Sequence, residues 1–161
     1  MRHAFSALAL FALTSVGLGH AATIPVHFGS ALSRQISSDG PRAVAWSLTL
    51  NHDWTKVEQN IATNDPALSS ATLRALLDYT PRFERSAMQH ALRARLQNDA
   101  LSGLAVLSPV SRSPYSGRAI CGAGEARWKH QVAPMITATH DIVYALQREA
   151  CLNALRLHSG R

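Results

Sequence analysis

The sequence predicts an all-α domain of about five helices, short ones joined by proline-containing turns and a longer one at the C-terminus, with one disulfide. Three observations carry this. Cap signals at Asn51/Asp53, Asp65, Thr80 and Asn98 punctuate a region whose apolar residues recur at helical spacing. A longer amphipathic pattern follows, from Val132 to Leu155. The chain also has two cysteines, Cys121 and Cys151, behind an N-terminus that reads as an export signal.

Taken in order, Arg2 and His3 give a short positive start, Ala4 to Leu18 is an apolar run, and Gly19-His20-Ala21-Ala22 offers small residues to a signal peptidase. Residues 1–22 are therefore expected to be a signal peptide. The run is shorter than the ~20 residues of a membrane-spanning helix, and no cysteine follows the expected cleavage site to take a lipid anchor. The expected product is an exported, periplasmic or extracellular protein. Residues 23–50 are expected to be an extended or partly ordered arm. Ile24, Val26 and Phe28 alternate with polar residues or proline, as do Val44, Trp46, Leu48 and Leu50, and Asp39-Gly40-Pro41 is a turn signal.

The helical domain is expected over 51–157, with a tail at 158–161. Its first helix carries Trp54, Val57 and Ile61 on one face and stops at Asn64-Asp65-Pro66. Asp65 with Pro66 opens the second, with Leu68, Thr72, Leu73, Leu76 and Leu77 as its apolar stripe. Thr80-Pro81 opens the third, with Phe83, Ala87, Met88, Ala91, Leu92 and Leu96 inward and Arg82, Arg85, Arg93 and Arg95 mostly outward. Asn98-Asp99 caps a short fourth with Leu101, Leu104, Ala105 and Leu107. Residues 109–118 read as a polar connection, with Arg112, Tyr115 and Arg118 as a candidate contact surface. The final helix, expected to be the longest, carries Val132, Met135, Ile136, Ile142, Val143 and Leu146 on the inward face.

Two cysteines in an exported chain most simply form one disulfide. A Cys121–Cys151 bond closes a loop worth about 3.5 kcal/mol in the chain-entropy model.

The 161 residues amount to about one domain, 47% hydrophobic and 16% charged, with a formal charge of +6 carried by 14 Arg and 2 Lys. Guanidinium groups fork onto phosphate and carboxylate. Arg82, Arg85, Arg93, Arg112 and Arg118 are accordingly a candidate anion-binding surface for envelope components or nucleic acid. No catalytic, cofactor or metal residues are assigned. The histidines lack the one-turn spacing of a helical zinc site, no Gly-x-Ser-x-Gly elbow occurs, and no carboxylate pair stands out. The composition thus points first to a non-catalytic binding module for a periplasmic or envelope protein, next to an anion binder, and last to a small periplasmic enzyme.

The succession Asp53-Trp54, Val57, Ile61, Asn64-Asp65-Pro66, Ala119-Ile120-Cys121-Gly122 and Arg148-Glu149-Ala150-Cys151-Leu152 resembles a family of small exported proteobacterial helical proteins of unknown function. The resemblance spans about residues 51–157 and implies export and the disulfide. It implies no catalytic or ligand-binding residues.

Overall fold

The structure, a computed structural model, describes residues 29–66 and 68–156. The expected signal peptide, residues 23–28 and the tail lie outside the described residues. Among those described there are nine α-helices and two 3-10 turns, with no strand beyond an isolated bridge between Ser108 and Ser116. The all-α expectation holds. The count of about five does not, because two helices occupy the expected arm, a short one spans Gly117–Gly122, and the expected final helix is broken in two.

The helices of the arm are α1 (Ser30–Asp39) and α2 (Pro41–Leu50). Gly40 joins them at φ 82°, ψ 152°, a region open essentially to glycine alone, and Pro41 takes the first position of α2, where its missing N–H costs nothing. The alternation at Val44, Trp46, Leu48 and Leu50 is compatible with a helix. Val44 and Leu48, one turn apart, are buried, while Trp46 and Leu50, also one turn apart, are exposed.

Next comes α3 (Trp54–Thr63), which buries Trp54, Val57 and Ile61 as expected. The Trp54 indole N–H donates to Thr49 Oγ1 at 3.0 Å and ties α3 back to α2. Asn64 ends the helix in the left-handed conformation. The following helix, α4 (Ser70–Leu77), begins later than Asp65-Pro66 suggests. Its cap is Ser69, whose hydroxyl accepts from the Thr72 N–H.

At Thr80-Pro81 the chain enters a 3-10 turn, Arg82–Glu84, before α5 (Arg85–Asn98). The turn rotates Phe83 out of phase with the stripe below it and leaves it 74% exposed, contrary to expectation. At 14 residues α5 is the longest described helix, not the C-terminal one, and it packs against α3. It also packs against α6 (Ala100–Val106), α7 (Gly117–Gly122) and α8 (Ala126–Ala138). Of the expected Asn98-Asp99 cap it is Asp99 that caps α6, accepting from the Ser102 N–H. Leu101 on α6 is exposed rather than inward.

Arg95 is the second departure on α5. Expected on an outer face, it is buried, with Nε donating to Ser102 Oγ at 2.8 Å and Nη1 reaching the Ile61 carbonyl at 3.5 Å. Burial pulls its pKa down and the Asp99 carboxylate opposes that. Asn64 completes the group, donating to Asp99 at 3.2 Å and accepting from the Ser102 hydroxyl. A buried guanidinium requires such satisfaction, and here it joins the end of α3 to the α5–α6 corner.

The expected long final helix is α8 followed, after Thr139–Asp141 and a 3-10 turn at Ile142–Tyr144, by α9 (Ala145–Arg156). The break resets the helical phase. Val132 and Ile136 stay buried, but Ile142, Val143 and Leu146 are 88, 71 and 73% exposed, the reverse of their expected placement. Arg148 bridges the break, its guanidinium donating to the Ile136 and Thr137 carbonyls at the end of α8.

The Cys121–Cys151 disulfide joins α7 to α9 with a Cα–Cα distance of 5.2 Å, and both cysteines are fully buried. Among the described residues the same two helices share the most extensive helix contact.

Candidate functional site

A solvent-exposed cleft of about 760 Å³ lies between α2 and the α4–α5 connection. Its floor and one wall come from α2, through Ala43, Ala45, Trp46 and Thr49. The opposite wall is Tyr79 and Pro81, held there because the Tyr79 and Thr80 N–H groups bond to carbonyls in the last turn of α4. Asp39 and Arg42 also line it, one on each side of the Gly40 corner. Most of the lining is apolar, and its size lies within the usual range for small-ligand sites.

Trp46 is 62% and Tyr79 46% exposed, so two aromatic side chains line the cleft and both remain open to solvent. Asp39 and Arg42 form no ion pair. The carboxylate accepts from the Ser38 hydroxyl at 2.9 Å, and the Arg42 guanidinium has no hydrogen-bond partner among the described residues. Sequence reading placed Trp46 in an arm and assigned it no role. The usable signal was its spacing, two residues from each of the buried Val44 and Leu48 and therefore across the helix from them.

The five candidate anion-binding arginines do not lie together. Arg82 and Arg85 are exposed at the start of α5. The connection carrying Arg112 rests against that start, since the Gln89 side chain donates to the Pro114 carbonyl at 2.9 Å. Arg93 lies about 12 Å further along α5, in the joint with α8, where its own carbonyl accepts from the Trp128 indole at 3.2 Å. Burial lowers the pKa of Arg93 and nearby Glu125 opposes the shift. Arg118 is exposed on α7, beside a shallow cavity shared with Leu146 and Asn153.

Tyr115, expected to contribute to a contact surface, is instead a buried anchor at 2% exposure. The connection around it is ordered by its own bonds, among them Ser108 N–H to the Tyr115 carbonyl at 3.0 Å and the Ser116 hydroxyl to the Ser111 carbonyl at 3.2 Å. The Tyr115 phenol and the neighbouring Thr80 hydroxyl are both buried, and neither has a well-formed hydrogen bond to any group beyond the other. Burial raises the phenol pKa, the main effect, while Thr80 and Arg85 lower it and Asp78 raises it.

The sign of the pH effect follows from that shift. On raising the pH the unfolded chain loses this proton first, near the ordinary value of about 10. The stability held by neutral Tyr115 is therefore complete below that value and declines as the pH climbs towards the folded-state pKa. Tyr115→Phe should flatten this alkaline decline, and at pH 7 it should change stability by no more than about 1 kcal/mol, because the hydroxyl removed has no good hydrogen bond to lose. Urea unfolding from pH 7 to 11, with Tyr79→Phe for comparison, checks both. An unchanged alkaline slope in Tyr115→Phe would contradict the assignment.

Among the described residues no group of three His, Cys, Asp or Glu is placed to hold a metal ion, and no helix is long and apolar enough to cross a membrane. No family model, curated protein or solved structure matches the chain.

Proposed function

We propose that the protein is an exported, non-catalytic helical module that binds its partner in the cleft between α2 and the α4–α5 connection. The observation that carries the reading is the pairing of exposed Trp46 and Tyr79 across an apolar cleft, side chains that an isolated domain would gain by burying. The buried disulfide supports export, since such bonds persist in oxidising compartments.

Export is tested by the intact mass of protein recovered from the periplasm or medium, which should begin at Ala22 or Thr23. Recovery of only full-length chain from the cytoplasm would refute it. The binding site is tested by NMR on isotopically labelled protein, titrated with a mixed set of peptides, oligosaccharides and small anions. Perturbations should centre on Trp46 and Tyr79. Perturbations centred elsewhere, or none with any probe, would overturn the reading.

A second reading draws on Arg82, Arg85 and Arg112, which are exposed and have no hydrogen-bond or ion-pair partner among the described residues. Under it the start of α5 and the neighbouring connection contact an anionic envelope component or nucleic acid. Binding of that kind should fall steeply with salt, whereas binding in the aromatic cleft should persist.

A further inference from the structure

The geometry of the cleft points to a neutral glycan as its ligand, with sugar rings lying against Trp46 and Tyr79 and ring hydroxyls bonded to Asp39 and Arg42. This deepens the proposed function and rests on the cleft being the binding site.

The side chains present narrow the ligand chemistry. Trp46 and Tyr79 offer flat apolar faces with a polar tip at each rim, and both are accessible from the cleft. Their match is a ligand with an apolar face and a polar edge. A pyranose ring with equatorial hydroxyls has that form, its C–H groups on the faces and its hydroxyls around the rim.

Of the charged residues lining the cleft, Asp39 only accepts hydrogen bonds and Arg42 only donates them. They are not paired with each other, so both are available to a ligand. A hydroxyl donates and accepts, so a polyol serves both at once. An anion meets the Asp39 carboxylate, a cation meets Arg42, and a wholly apolar ligand strips water from both charges without replacing its hydrogen bonds.

Charge around the mouth agrees with a neutral ligand. The adjoining stretch carries two cations, Arg82 and Arg85, and two anions, Asp78 and Glu84, so the net charge of +6 does not come from it. The cleft is also open to solvent, which suits a chain laid across it better than a molecule enclosed within it.

The test uses the mature protein and the tetramer of N-acetylglucosamine as the probe, followed through the three tryptophan indole N–H signals by NMR. The Trp46 signal should shift saturably while those of Trp54 and Trp128 stay in place, and the shift should survive 0.5 M salt. Trp46→Ala and Tyr79→Ala should each weaken binding by about tenfold or more, the scale of one well-placed aromatic contact. Asp39→Asn and Arg42→Ala should weaken it as well. Trp46 is exposed, so an unchanged urea midpoint in Trp46→Ala would separate lost contact from lost fold. A decaproline peptide and inorganic phosphate are the comparison probes. If either moves the Trp46 signal and the sugar does not, the glycan assignment is overturned and the cleft remains the binding site. If no probe moves it, both fall.

Discussion

Gly117→Val is expected to destabilise the protein by about 3 kcal/mol or more, and Gly117→Ala by somewhat less. A Cβ at this position would sit 2.6 Å from the Gln147 carbonyl oxygen and 3.0 Å from the Cys151 nitrogen, both backbone atoms of α9. Backbone cannot rotate aside as a side chain can, so α7 and α9 must separate. Two features oppose that separation: the disulfide next to the contact and the buried Gln147 side chain, whose amide reaches the Leu107 carbonyl at 3.5 Å. Gly122, five residues on in the same helix, is the internal comparison. A Cβ there lies 3.9 Å from Ala154 Cβ, ordinary contact, and Gly122→Ala should be neutral or slightly stabilising. Urea unfolding of the three variants reads the difference. Equal midpoints for Gly117→Ala and wild type would mean that the helices do not approach this closely.

The second large effect is loss of the disulfide. Reduction, or Cys151→Ala, should cost about 3.5 kcal/mol, the loop-closure value for a separation of 30 residues. The loss should appear first as hydrogen exchange in α7, α8 and the 109–116 connection. Residues 54–106 should follow later, because α3 and α6 pack on α5 and carry no covalent link to α9. Thiol titration of the native protein should find no free cysteine until it is unfolded with reductant. Two titratable thiols in the native state would refute the bond, and a disulfide-linked dimer on a non-reducing gel would show that it joins two chains.

How far the fold could be read from the sequence depended on whether a local rule or a tertiary contact placed the residue. Trp54, Val57 and Ile61 form an uninterrupted stripe and were read correctly, as were Met88, Leu92 and Leu96. The disulfide was legible because only one pairing of two cysteines exists within the chain. The Ile142, Val143 and Leu146 placement was misread because Val132 to Leu155 fits one helical period on paper, while Thr139–Asp141 interrupts it in three dimensions. Arg95 was misread for a different reason. Ser102 is only seven residues on, but the burial also depends on the end of α3, where Ile61 is 34 residues away and outside any local window. The cleft was illegible in the same sense, since Trp46 and Tyr79 come to line one cleft only through the packing of α2 on α4.

The bond between Cys121 and Cys151 also makes the last part of the protein a covalent ring, within which the whole of α8 and the turn at Ile142–Tyr144 are enclosed. Exposed sites in that ring, Arg127 and the Ile142–Val143 pair among them, are open to a protease. A single cut there opens the ring without releasing a fragment. The two new ends remain on one molecule, and the contact between α7 and α9 lies at the closed side, away from the break. A cut in the 109–116 connection has no such protection, because it lies outside the ring and nothing covalent holds the piece that follows it. Tolerance to proteolysis is therefore unevenly distributed along this chain, high between the cysteines and low just before the first of them.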